Sequence, residues 1–356
     1  MSRRRFTLLA FAAAVAAVAA VGAAQARETA DVYTVHGLVS DGSAISSPAT
    51  DASLVNGWGL SDGPTTPWWA ANNGTNTSTL YSGTGTKVAL TVTVPGGPTG
   101  TVFNGNAADF AVSQNGKSGA ARFLFATEAG TILGWSPSVN ATAALVGADR
   151  SSAGAIYKGL ATVGDRLYAT DFHNGRVDVF DASFNPVTTT GGFKDAKIAK
   201  GFAPFGIQAL GGNIFVTYAA QDAAKKDDVP VPGQGYVDEF TPDGQLIAHV
   251  VNSGKKNAPL NAPWGLALAP SDFGAFAGDL LVGNFGNGRI SAYTQRGSAW
   301  VYKGQLRVGD GTPIAIDGLW AIAFGNGSAA GPTNTLYFLS GPSGEQHGLY
   351  GSITAG

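Results

Sequence analysis

Side chains with oxygen donors recur in this sequence at short breaks between apolar runs. Asn56, Asn261 and Asp317 each stand just before such a run, as does Lys158. Asn72 and Asn73, Glu128, Asp171 and Asn174, Gln221, Asp222, Asp227 and Asp228, Asn284 and Asn287, and Glu345 stand at the turn between the next two runs. Carboxylates and amides are hard ligands that suit Ca2+ or Mg2+. One imidazole joins them: His173 in "DFHNGRV" faces Gly286 in the sister phrase "NFGNGRI". The turn therefore does not require histidine, and His173 is a candidate general base. Lys158, Asn72, Asn284, Asp227 and Asp228 are candidate ligand-binding residues. A structural reading competes with all of these, because Asn and Asp cap strands and tolerate left-handed turns. Carboxylates that converge also need a cation, a proton or a basic side chain between them, and Lys158 could be that side chain. His36 and His249 fall in outer runs and are set aside. Arg176 and Arg289 share one repeat position, which suggests a structural ion pair between repeats.

The elements that would position these residues repeat. An aromatic or equivalent residue, a small residue and an aliphatic one recur, with the aliphatic at Leu60, Leu160, Ile207, Leu266 and Ile322. The first interval is about twice the others, so a degenerate copy is expected between them, at "ADFAVSQNG" (108–116) preceded by "PTGTVFN". Each of the six units holds short β runs separated by Gly, Asn, Asp and Pro, the pattern of four-stranded propeller blades. The sixth has only three runs, and "VYTVHGLVS" near the start is left over. The expected fold is all-β: a six-bladed propeller of four-stranded antiparallel blades, closed by the N-terminal strand pairing in the last blade. Closure of this kind removes exposed edges. In such a meander the start of strand 1 and the turn between strands 2 and 3 lie at one end, so the polar residues above should ring one mouth of the central channel. The long insert "QDAAKKDDVPVPGQG" (221–235) is expected to be a charged loop or an arm over that mouth.

The chain has 356 residues and a formal charge of −2, with 13% charged residues and no cysteine. Disulfides, thiolate metal sites and Cys nucleophiles are excluded. No basic patch marks a nucleic-acid binder. No serine sits in a G-x-S-x-G elbow. Residues 1–26, MSRRRFTLLAFAAAVAAVAAVGAAQA, read as a signal peptide cut after Ala26, of the Sec or twin-arginine type. Residues 27–356 are then a single propeller domain, secreted or periplasmic, expected to be monomeric with no membrane span. A small molecule, a glycan or an envelope protein is the expected partner.

"LVNGWGL", "NNGTNTSTLY", "ARFLFATEAGTILGW", "YKGLA", "YATDFHNGRVDVFD" and "APWGLALAP" resemble a family of exported bacterial proteins of unknown function, over nearly all of residues 27–356. More distantly the units resemble NHL-repeat and gluconolactonase-like propellers. That resemblance implies the fold, and it brings lactonases, lyases, esterases and plain binding propellers into view. Gluconolactonase-like propellers hold one divalent cation at this mouth with Asn, Asp and Glu side chains, which implies Asn56, Glu128, Asp171 and Asp317 as candidate metal ligands and Ca2+ or another divalent ion as a candidate cofactor. Two functions follow. One is a non-enzymatic propeller that binds a ligand or envelope partner at the mouth. The alternative is a divalent-metal-dependent hydrolase or lyase of the lactonase type.

Overall fold

The computed structural model describes residues 32–42, 44–251 and 259–356; the expected signal peptide lies outside them. The recurring phrase forms six inner strands: Gly57–Ser61, Pro98–Phe103, Tyr157–Val163, Phe202–Leu210, Pro263–Leu268 and Leu319–Phe324. Each packs on the next around a closed ring. Each also begins a four-stranded antiparallel blade, so the chain is a six-bladed β-propeller. Six residues occupy one equivalent slot in these strands: Trp58, Thr99, Lys158, Phe205, Trp264 and Trp320. A residue without bulk follows each of them: Gly59, Gly100, Gly159, Gly206, Gly265 and Ala321. The reason is steric. A Cβ on Gly59 would run into the Thr99 carbonyl oxygen, one on Gly206 into that of Trp264, and one on Gly265 into that of Trp320. Neighbouring inner strands approach too closely for a side chain at this point.

The ladder between the first and second strand also skips a residue at this slot in all six blades. Such a bulge re-aims side chains. Beneath the slots the axis holds a cavity of about 30 Å3 lined by Leu60, Leu160, Ile207, Leu266 and Ile322, room for about one water.

The last blade closes as expected. Tyr33–Ser40 pairs antiparallel with Leu349–Ala355, from Tyr33 opposite Ala355 to Ser40 opposite Leu349. Ala49–Thr50 then lies parallel along its outer side. The buried Tyr33 ring stacks near Phe276, and its hydroxyl donates to the Phe273 carbonyl at 3.2 Å. The seam is tied again where His347 Nδ1 meets Asp41 Oδ2 at 2.8 Å.

Two expectations are corrected. The second unit starts at Pro98–Phe103, where Thr99-Gly100-Thr101 is the degenerate phrase; residues 108–116 instead open a hairpin, Ala111–Gln114 with Lys117–Ala120, inserted between the first two strands of that blade. Arg176 pairs with Asp178 (2.7 Å) and Asp171 (3.4 Å), both of its own blade, and among the described residues it makes no ion pair to another blade.

Candidate functional site

Lys158 is the one charged residue among the six slot residues, and it is almost fully buried. Three of the others are tryptophans and one is phenylalanine. Those rings form a packed floor: Trp58 stacks on Trp320 at 3.6 Å, Trp320 on Phe285 at 4.0 Å, and Trp264 and Phe205 meet Trp58 edge-on. The Lys158 ammonium lies 4.8 Å over the Trp58 ring, a cation–π contact. It donates to Glu128 Oε1 at 2.5 Å and to Asp227 Oδ1 at 3.4 Å. The second oxygen of Glu128 accepts from Asn73 Nδ2 at 3.0 Å. Asn56 Nδ2 faces Asn73 Oδ1 at 3.4 Å, and Asn56 Oδ1 accepts from Trp320 Nε1 at 3.0 Å. One chain of contacts, Trp320–Asn56–Asn73–Glu128–Lys158–Asp227, thus crosses blades 6, 1, 2, 3 and 4. Asn56 can start it because it adopts a left-handed φ of 48°, which asparagine tolerates better than most residues.

The insert 221–235 delivers Asp227. Gln221 bridges Asp228 at its base, and Gln234 bridges Asn261 on the next blade. The arm is therefore tied down on both sides of the mouth. Burial pushes Asp228 up to about 7; Glu345 and Asp227 add to this while Lys158 opposes it. Burial raises Glu345 too, helped by Glu128 and Asp227. Burial alone would also raise Glu128, but Lys158 and the Asn73 amide outweigh it and hold that carboxyl below its ordinary value. Asp228 Oδ2, Trp58 Nε1 and Trp264 Nε1 are buried with no hydrogen-bond partner among the described residues.

Other nominated residues stand at the same end but serve their own turns. Asn72, Asp171 and Asn284 are equivalent, each the last residue of a second strand. Asn72 Nδ2 donates to Thr77 and Thr79, and Asn284 Oδ1 accepts from the Asn261 amide. Asp171 Oδ2 accepts from Asn174 Nδ2 at 2.7 Å, and its Oδ1 faces the Asn174 and Ile156 amides. Burial raises Asp171 despite these bonds. Asp317 is exposed and accepts the Ser343 amide at 2.8 Å. His173 lies beside Gly154, with Nδ1 buried and unpartnered among the described residues.

The four nominated metal ligands are therefore not gathered around one point. Among the described residues Glu128, Asp171 and Asp317 do not all bring their carboxylate oxygens within 4.8 Å of one another, and the Glu128 oxygens already face Lys158 and Asn73. These residues do not fit a shared cation, and Lys158 supplies the counter-charge. Asn73 and Glu345 stand in the sequence at the same turns as the nominated residues. The tryptophan floor was legible only as a repeating phrase.

The fold and this mouth define a class: six-bladed propellers whose axis is plugged by aromatic side chains beneath a polar rim. No family model matches the chain. It is 31% identical over 322 residues to uncharacterized protein R648 of Acanthamoeba polyphaga mimivirus, covering 85% of this chain and 76% of that one, and it belongs to the family of that protein. Uncharacterized protein L690 of the same virus is 29% identical over 311 residues. Uncharacterized protein R640 is 32% identical over 229 residues, and the chain spans 42% of its length. These relatives are viral, where the sequence resemblance pointed to bacterial proteins.

Three solved structures are similar in fold. A Bacteroides thetaiotaomicron protein of unknown function is 13% identical, with a TM-score of 0.56 over 91% of this chain and 76% of that one. The apo soluble aldose sugar dehydrogenase of Escherichia coli is 13% identical, with a TM-score of 0.52 over 91% and 99%. A catalytically inactive virginiamycin B lyase of Staphylococcus aureus with quinupristin is 10% identical, with a TM-score of 0.50 over 91% and 99%. At such identities the likeness concerns fold alone. No helix among the described residues is long and apolar enough to cross a membrane.

Proposed function

We propose that this propeller binds a small polyhydroxylated ligand at the mouth built around Lys158. The observation that carries the reading is the surplus of buried polar groups there. Lys158 satisfies Glu128, while Asp228 and Glu345 lie half-buried beside it with their carboxyls raised by desolvation. Groups held at such a cost are candidates for function rather than stability. Asp228 offers an acceptor to ligand hydroxyls, and the indole N–H groups of Trp58 and Trp264 seek acceptors. The arm 221–235 would flank such a ligand. Export by the leader, with a periplasmic or secreted site of action and a monomeric chain, completes the proposal.

One observation favours a second reading, a hydrolase or lyase. With its carboxyl at about 7, Asp228 can give or take a proton near neutral pH. That step would use Asp228, with His173 as a second base, and needs no cation at Asn56, Glu128, Asp171 or Asp317.

Calorimetry with neutral sugars, sugar acids and amino sugars tests the first reading. One class should bind at one site per chain. Asp228→Asn should weaken binding at least tenfold, whereas Asp62→Asn, at the far end of the same inner strands, should not. If no class bound, or if Asp228→Asn bound like the wild type, the proposal would fall. Turnover of sugar lactones that disappears in Asp228→Asn would replace it with the enzymatic reading.

A further inference from the structure

A second polar cluster lies in the outer half of blade 4, apart from the mouth. Asp238 in Tyr236–Phe240 is paired across the ladder with His249 in Leu246–Val251, so the two side chains share one face of the blade. Tyr218 of Asn213–Ala220 is on the same face, two residues beyond Val216, the partner of Asp238. Asp195 comes from the connection between blades 3 and 4 and completes the group. Among the described residues these are the three His, Asp or Glu side chains whose ligand atoms all lie within 4.8 Å of one another.

The hydrogen bonding is incomplete in a telling way. His249 Nδ1 meets Asp238 Oδ1 at 2.6 Å, and with Asp238 ionised the ring nitrogen is the donor. That tautomer leaves a lone pair on Nε2. Yet Nε2 lies 2.7 Å from Asp195 Oδ2, and neither atom makes an aligned hydrogen bond there. Two lone pairs facing each other at this distance repel unless a positive centre lies against both. Among the described residues Asp238 Oδ2 and the hydroxyl of Tyr218, a residue only 4% exposed, are also buried without an aligned hydrogen bond, although the two groups and Asp195 lie close enough to interact. Four polar atoms without an aligned hydrogen bond therefore converge on one largely enclosed spot, where such groups cost free energy unless a proton or a cation joins them.

We infer that Asp195, Asp238 and His249 form a site for one divalent transition-metal ion of the Zn2+ or Mn2+ type. An imidazole nitrogen with two carboxylates is a donor set that suits these ions, whereas Ca2+ prefers an all-oxygen cage of more ligands. The Asp238–His249 bond is the carboxylate–histidine arrangement that orients a metal-binding imidazole. The ion would tie the connection between blades 3 and 4 to the outer strands of blade 4, a structural role independent of the mouth. The competing arrangement has a proton in place of the metal, shared between Asp195 and Asp238 beside the imidazole.

The test is metal titration of the whole purified chain after EDTA treatment and dialysis. Zn2+ and Mn2+ are titrated by calorimetry with Ca2+ as contrast, and Co2+ is added to read its visible absorption. One equivalent of Zn2+ should bind and raise the melting temperature by mass action, and Co2+ should give the bands of nitrogen and oxygen coordination. His249→Gln should abolish binding, and Asp195→Asn should weaken it at least tenfold. If His249→Gln fails to fold, Asp195→Asn decides, because it lies outside every strand. A wild-type chain that binds neither Zn2+ nor Mn2+ at about 100 µM metal, well above the affinity of structural sites, would overturn the inference in favour of the protonated, metal-free cluster. So would Asp195→Asn binding as tightly as the wild type.

Discussion

Replacing Lys158 by methionine tests whether the mouth is organised as an ion pair. The side chain is 1% exposed and Glu128 is 19% exposed, so the pair is shielded from water, whereas Asp227 is 60% exposed and its contact is screened. Removing the ammonium leaves the Glu128 carboxylate buried with only the Asn73 amide. Breaking one partner of a buried pair costs about 3–5 kcal/mol, and the Asp227 contact adds at most about 1 kcal/mol. For a domain of this size that cost corresponds to a fall in melting temperature of about 4–7 °C. The double variant Lys158→Met/Glu128→Gln should recover most of it. It removes both charges, keeps an acceptor for Asn73, and places an apolar residue in a slot that Trp58, Phe205, Trp264 and Trp320 fill elsewhere. Urea and thermal melts of the wild type, both single variants and the double variant complete the cycle. A Lys158→Met melt within about 1 kcal/mol of the wild type, the scale of an exposed pair, would refute the buried-pair argument. So would a double variant no more stable than the single one.

Buried acids should make the chain less stable as pH rises. Asp62 and Asp228 both sit at about 7, chiefly through burial, against an ordinary 3.8. The native chain therefore holds protons that the unfolded chain releases. Their stabilisation is full below about 4 and is lost as pH passes about 7, by up to about 1.4 kcal/mol per pH unit for each group. Melting temperatures from pH 5 to 8 should fall less steeply in Asp62→Asn/Asp228→Asn, and an unaltered slope would refute this. Gly206→Ala should destabilise by about 1–3 kcal/mol, because the new methyl meets the Trp264 carbonyl, whereas Ala321→Gly should cost less; comparable melts for the two would contradict the close-approach argument. Tyr33→Ala should cost about 3–5 kcal/mol by emptying the buried contact with Phe273 and Phe276; a change below about 1 kcal/mol would show that the closing strand is not anchored there.

Blade number and closure were legible because both rest on local pattern. The slot-glycine-aliphatic phrase is imposed by strand proximity, and a leftover strand must pair somewhere. The hairpin 111–120 misled because it alternates and turns like a blade strand, and nothing local reveals that it is an insertion. At the mouth, residue type and turn position nominated Asn56, Glu128, Lys158 and Asp227, which lie along one chain of contacts. They could not separate these from Asn72, Asp171 and Asn284, which share that end but bond within their own turns. The difference lies in side-chain direction at one register position. The Asp195–Asp238–His249 group was not legible at all: two members are opposite one another across a ladder, and the third arrives from an irregular connection with no pattern to place it.

The seam between Tyr33–Ser40 and Leu349–Ala355 also dictates an order of events. Five blades are built from contiguous segments, each able to form by local chain reversal once its own residues are available. The sixth needs two segments from opposite ends of the domain. Loop-closure entropy rises only logarithmically with length, so this separation adds little to the equilibrium cost of the seam. Its effect is kinetic. The ring should pass through an intermediate in which five blades are formed and the sixth still exposes an unpaired edge, and refolding should slow and aggregation rise at that stage. A peptide copy of the closing strand, supplied during refolding, would compete for that edge.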